Sequence, residues 1–346
     1  MKQILTLIAI LISINLVSAQ ELYDQELKKL YSQKQYEKVI ERGKVILEKE
    51  PNNITANHLI GRVLANKKNF KEAIPYLQNS IQESSPNYIK SWSYAYLGKC
   101  NFELDNYSQA KNDLEKVIEL NATENSNKEA TKYMKWFQMT DKFDNWEIID
   151  KDYIRFHFQP NHNIKNIDKY CEQRVEAYKT NNEFFNAEPF KKIDYFVWSN
   201  PDEAKEYFGK PLGFSNSELC IINSRINQTI GHEITHILSD LGIRPEQKGR
   251  LLNEGIAVVF DLTDRNRIEL ARKSNPDNLS IKQIIEDQSE LSDGIIYNVG
   301  GALIEFLKEK SDDETLKRLI KNQTYENLII LYGENTIIEF EQKIKN

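Results

Sequence analysis

The N-terminal third of the chain repeats itself. Aromatic residues recur at Tyr36, Phe70 and Tyr107, 34 and then 37 residues apart, within "KQYEKVIERGKVILEKEPNN", "KNFKEAIPYLQNSIQESSPN" and "DNYSQAKNDLEKVIELNATE". A small or β-branched residue follows three positions later, at Val39, Ala73 and Ala110. Gly61 and Gly98 precede the second and third aromatics by nine residues. Between these markers apolar residues fall at helical spacing. A period of this length fits one antiparallel helix pair per repeat. A single pair cannot hide its apolar face, so pairs must stack. The glycines let the helices of one pair approach closely, and the aromatic fills the gap between pairs. Pro51 stands at a place where a helix often ends. Three pairs are predicted, closed by a capping helix over "NKEATKYMKWFQM", Asn127 to Met139.

This pattern resembles the tetratricopeptide repeat, although the first repeat lacks the glycine. The resemblance implies an α-helical repeat domain over residues 20–141 whose concave face holds a substrate or partner chain. After Asp141 the pattern changes. "DYIRFHF" (Asp152–Phe158) and "KKIDYFVWS" (Lys191–Ser199) alternate as strands do, and "ELCIINS" from Glu218 reads as a third strand. "IDKYCEQRVEAYKTNNEFF" (Ile167–Phe185) reads as a helix, and helical spacing dominates from Ile226 onward. Residues 142–346 are therefore expected to form an α+β domain, a small sheet first and a helical subdomain after it.

Residues 1–19 stand apart. Lys2, the apolar run "ILTLIAILISINLV" and the small residues before Gln20 read as a secretory signal peptide cleaved after Ala19. Left uncleaved, the segment would be a membrane anchor. Either way the folded part is expected outside the cytoplasm, secreted or periplasmic. No later segment reads as a membrane span. No cysteine sits at the junction, so a lipid anchor is not indicated. Cys100, Cys171 and Cys220 are too few for a disulfide framework and are expected to be buried thiols, with a single bridge left open. The net charge of −6, with both signs interspersed, argues against a nucleic-acid partner.

The chemistry concentrates in "INQTIGHEITHILSDLG" (Ile226–Gly242). Its apolar positions make a helical stripe, with Gly242 as the expected stop. Four residues along a helix bring side chains to within about 40° of one another, so His232 and His236 can share one ion. Glu233 lies about 100° from His232, able to reach a water on that ion without ligating it. This is the His-Glu-x-x-His pattern of two metal ligands and a general base. A catalytic zinc needs a third protein ligand. "RLLNEGIAVVFDL" (Arg250–Leu262) offers Glu254, eighteen residues after His236, with small Gly255 and Ala257 expected to let its helix pack on the first.

Taken together these residues resemble a gluzincin, the thermolysin-like and aminopeptidase-like zinc metallopeptidase superfamily, from roughly Ile148 to the C-terminus. The resemblance implies one Zn²⁺ held by His232, His236 and Glu254, with Glu233 activating the water and passing its proton to the leaving amine. It implies a cleft wall from the strand before the zinc helix, at Leu219–Ser224, whose free edge pairs with an extended peptide. It also implies an oxyanion-steadying residue, for which Tyr297 in "IIYNVGGALIEFLKEK" is the candidate; a buried core tyrosine fits that position equally. Asp240 and Asp261 could orient a ligating histidine, or be ordinary helix-surface carboxylates. His157 and His162 flank "FQPN" without enough ligands for a second site, and His58 reads as a packing or surface residue. No "Gly-Ala-Met-Glu-Asn"-type stretch precedes the zinc helix, which favours endopeptidase over aminopeptidase action. The alternative function is a binding or assembly protein whose repeats act while the zincin-like domain is an idle scaffold.

Overall fold

The computed structural model describes residues 21–138 and 143–345, so the expected signal peptide and its junction lie outside the described residues. The chain divides into two compact units, Met1–Asp144 and Asn145–Asn346.

The described residues of the first unit are mainly helical. Helix α1 (residues 21–32) is followed by α2 (Tyr36–Lys49), α3 (Ile54–Asn66), α4 (Phe70–Asn79), α5 (Asn87–Glu103), α6 (Tyr107–Leu120) and α7 (Glu124–Trp136). They form the three expected pairs and a cap. Within pairs, each turn passes through one left-handed residue, Lys34, Lys68 or Asp105 (φ 57°, 64° and 63°), two positions before the aromatic. The glycine argument holds in two pairs. A methyl on Gly61 would meet Leu77 Cγ of α4 at 2.7 Å, and one on Gly98 would meet Leu114 Cγ of α6 at 2.6 Å. The capping helix starts three residues earlier than expected. Thr123 is its N-cap, accepting from the Ser126 N–H at 3.1 Å; that bond satisfies a first-turn donor. The expected end at Met139 lies outside the described residues.

The second unit opens with a sheet: β1 (Glu147–Asp150), β2 (Ile154–Phe158), helix α8 (Ile167–Phe185), β3 (Ile193–Trp198), helix α9 (Pro201–Phe208), β4 (Phe214–Asn216) and β5 (Ile221–Arg225). The strand order is β1-β2-β3-β5-β4. Strands β2, β3 and β5 run parallel, and β1 and β4 are antiparallel edges. Ile154, Phe156, Phe158, Tyr195, Val197 and Ile222 face one core with Cys171, Ala177 and Tyr178 of α8. Eight helices follow: α10 (His232–Gly242), α11 (Arg250–Val259), α12 (Arg267–Ser274), α13 (Ile281–Glu286), α14 (Asp293–Lys310), α15 (Asp313–Lys321), α16 (Tyr325–Tyr332) and α17 (Glu334–Ile344).

Three expectations need correction. Strands β1 and β4 were not expected; four and three residues are too short to display an alternation. No element was expected between Ser199 and Glu218, yet α9 forms there because Asn200 caps it, accepting from Asp202 and Glu203 N–H, with Pro201 in its first turn. The strand over Leu219–Ser224 is not an edge. It begins at Ile221 and lies inside the sheet, because the chain folds back and β4 covers it.

The opposite face of the sheet carries a buried ion cluster. Asp194, 1% exposed, accepts from His157 Nε2 at 2.8 Å and Lys191 Nζ at 2.7 Å, with Arg155 at 3.9 Å. Burial by itself would raise its carboxyl. The Lys191 charge and the His157 hydrogen bond outweigh that and hold it well below the usual range. A depressed carboxyl stabilises the fold above the unfolded pKa of about 3.9, and that stabilisation is lost as pH falls through the folded value. Asp194→Asn removes the buried charge that Lys191 Nζ and His157 Nε2 bond to. It is expected to cost about 3–5 kcal/mol in urea denaturation at pH 7 and to flatten the acid limb of the stability profile.

Candidate metal centre

Helix α10 begins at His232, preceded by Gly231 as N-cap. Both imidazoles face the same way, with ring centroids 5.0 Å apart. Glu254 reaches them from the middle of α11. Its Oε2 lies 3.2 Å from His232 Nε2 and 3.4 Å from His236 Nε2. The three donor atoms lie within 4.8 Å of one another, close enough for one metal ion, and no other such group occurs among the described residues. Burial would raise the Glu254 carboxyl, but hydrogen bonds and charge from the two imidazoles hold it far down. Burial would lower His236, but Glu254 and Glu233 raise it overall. Each group is thus tolerated inside the fold because of the others.

What brings α11 to this place differs from expectation. Gly255 does not serve the contact with α10. A methyl there would collide with the backbone of Gly300 in α14. The α11–α14 approach, one glycine on each side, sets the depth of α11 and the position of Glu254. Gly242 likewise is the last helical residue and a close-approach point: its methyl would meet the Phe185 carbonyl at the end of α8. The link from α10 towards α11 is made by Asn181 of α8. Its Nδ2 donates to Thr235 Oγ1 at 3.0 Å and to the Phe260 carbonyl, just past α11, at 2.8 Å.

A cleft of about 240 Å³ opens beside the three donors, lined among others by Glu233, His236, Glu254, Tyr297, Asn253 and by Phe214 and Ser215 of β4. Glu233 is 3% exposed and reaches the cleft without joining the donor group. Tyr297 is half-buried rather than part of the closed core, its ring 5.6 Å from that of His232. Burial first, then the charge of Glu254, pushes its phenol up, so it stays an O–H donor. The edge strand that borders the cleft is β4.

Neither aspartate hydrogen-bonds His232 or His236. Asp240 accepts from Ser217 Oγ at 2.7 Å and pairs with Lys248 at 2.5 Å. Asp261 is buried, not on a helix surface; it accepts from Thr263 and lies 3.7 Å from Arg267. The side chain beside His236 is Asn253, with Nδ2 3.3 Å from Nδ1. If Nε2 binds an ion, Nδ1 carries a proton and Asn253 must turn its oxygen to it; the two amide orientations are a matter of assignment. Asn253 adjoins Glu254 in the sequence, yet only the fold shows which way it points. His157 is held by Asp194, and His162 lies 3.7 Å from Glu147. His58 is buried, bonded to Ser93. All three cysteines are free and buried.

The tetratricopeptide repeat family matches residues 54–86 and 93–124, the α3–α4 and α5–α6 pairs. Residues 54–124 are tetratricopeptide repeats. Stacks of such pairs form extended surfaces for binding other polypeptides. No curated protein matches the chain. Among the described residues no helix is long and apolar enough to cross a membrane.

Gly255→Ala is expected to destabilise the metal-free protein by about 1–3 kcal/mol, because the backbone of Gly300 cannot yield. Gly294→Ala, where a methyl meets only the Ser292 hydroxyl at 3.8 Å, is the control and is expected to be neutral. Urea denaturation in excess chelator measures both.

Proposed function

We propose that the second unit is a zinc-dependent peptidase of the gluzincin type, acting outside the cytoplasm, with the repeats holding the substrate or a partner. The observation that carries this reading is the meeting of His232, His236 and Glu254 beside a cleft that Glu233 enters. The donor set fits zinc. Two ligands on a tetrahedral zinc at about 2.0–2.1 Å stand about 3.3 Å apart. The Glu254 oxygen stands 3.2 and 3.4 Å from the two imidazole nitrogens. Two neutral imidazoles and one carboxylate would leave a zinc ion one position for water.

Bound zinc supplies Lewis acidity, bringing the pKa of water towards about 7 and polarising a carbonyl. The chain's own residues do the rest. His232, His236 and Glu254 hold the ion, and Asn253 fixes the plane of His236. Strand β4 has one strand neighbour, β5, so its outer edge can pair with an extended peptide and set the scissile bond over the donors. Glu233 takes a proton from the attacking water and returns it to the departing amine. Tyr297 donates its O–H to the oxygen on which negative charge builds. The apolar leader at residues 1–19 supports the extracytoplasmic placement.

The reading is tested on purified protein. Wild type carries about one zinc per chain and cleaves members of a blocked peptide library. Glu233→Gln keeps the zinc and loses about 10²–10⁴ in rate, whereas Glu254→Ala loses the zinc itself. Equal cleavage by wild type and Glu233→Gln rejects the base. Zinc without any cleavage in wild type favours the idle-scaffold alternative. Tyr297→Phe is expected to lower kcat by about 10²–10³ and leave KM little changed; a change confined to KM would remove the oxyanion role.

A further inference from the structure

The two arginines of the repeat unit are treated very differently. Arg42 forks onto the carboxylate of Glu26, with Nε 3.0 Å from both oxygens. Arg62 of α3 has no carboxylate within 4 Å among the described residues. Its guanidinium carbon instead lies 4.9 Å from the ring centre of Tyr31 (α1), 4.6 Å from that of Trp92 and 5.0 Å from that of Tyr96 (both α5). Its Nε is buried without an acceptor.

The side chain is fixed from behind as well. Ser80 Oγ donates to the Leu77 carbonyl at 2.6 Å. Its single proton being used, the 2.6 Å contact between Ser80 and Ser93 must have Ser93 as donor. Ser93 therefore accepts from His58 Nδ1 at 2.8 Å, and His58 presents its Nε2 lone pair to Arg62 Nη1, 3.5 Å away. Burial first, with help from the Arg62 and Lys28 charges, lowers His58 well below its ordinary value, so the ring is neutral. Burial also keeps the Tyr31 phenol protonated, an O–H donor beside the guanidinium.

A guanidinium carries five donors in a rigid fork. Here one points to His58 and the aromatic faces offer only weak compensation. A half-buried cation so placed, lacking an anion, is costly for the repeat unit by itself. We propose that Arg62 is the anchor of a peptide-binding site on the face made by α1, α3 and α5, and that it receives a glutamate or aspartate side chain of an extended partner segment. The carboxylate closes the fork in a bidentate pair, the rings of Tyr31, Trp92 and Tyr96 shield that pair from water, and Lys28 adds to the positive field. The site is independent of the hydrolase reading and stands or falls separately from it.

The test uses the full chain carrying Glu233→Gln, so that no peptide is cut whatever the second unit does. Its probe is an array of short peptides blocked at both ends, with Glu, Asp, Gln or Asn at each position, plus a set with free C-termini. Wild-type repeats are expected to select an acidic residue at one position. Replacing that residue by its amide weakens binding about tenfold or more, and the preference fades at high salt. In an Arg62→Gln chain with unchanged helical content, acid and amide peptides bind alike. An array without acidic preference overturns the proposal on the wild-type fold alone, as does an Arg62→Gln chain that keeps the preference. Binding confined to peptides with a free C-terminus would assign the fork to a chain end and overturn the side-chain reading.

Discussion

The carboxylate of Glu254 and the imidazoles of His232 and His236 make one another possible. Alone, each would resist burial: the acid by staying protonated, the bases by staying neutral. Together they share one small volume, with the carboxylate held far below its ordinary range and His236 held above its own. Such a cluster exists only if two helices are kept in a fixed register. A shift of one ångström between α10 and α11 would leave one buried and two half-buried polar groups without their partners, a costly loss where water does not replace them.

That register is enforced away from the site. Helix α11 is seated by the glycine-to-glycine approach at Gly255 and Gly300, where neither backbone has room for a methyl. Helix α10 is tied to the chain just past α11 through Asn181, which bonds Thr235 and the Phe260 carbonyl together. Strand β4 then brings the sheet to the cleft, through Phe214 and Ser215. The site is therefore a product of the α8–α10–α11–α14 packing, and the three donor side chains are its visible end.

The repeat unit uses the same economy of contact in another form. Leu77 and Leu114 fill the space left by Gly61 and Gly98, which fixes each pair. Stacked pairs then set the inner helices side by side, and residues 31, 62, 92 and 96, far apart in sequence, surround one guanidinium. A polar chain from His58 to the Leu77 carbonyl anchors that arrangement in the core.

Periodic and local features were readable from the sequence. The aromatic-glycine period marked the helix pairs, helix α8 was bounded at Ile167 and Phe185, and the four-residue spacing of His232 and His236 guaranteed a common direction. These depend on the geometry of one helix, which sequence spacing encodes directly. Short strands β1 and β4 escaped, since three or four residues carry no period. So did Asn253, Asn181 and the true partner of Gly255. Their roles lie in which surfaces meet, and many sequences with the same spacing could bring different faces together. The sequence by itself determined which residues can ligate and which helices can stack. Only the tertiary structure decided that Glu254 closes the donor set, that β4 rather than β5 offers the free edge, and that Arg62 lacks an anion, because those facts arise between elements whose separation along the chain says nothing about their distance in space.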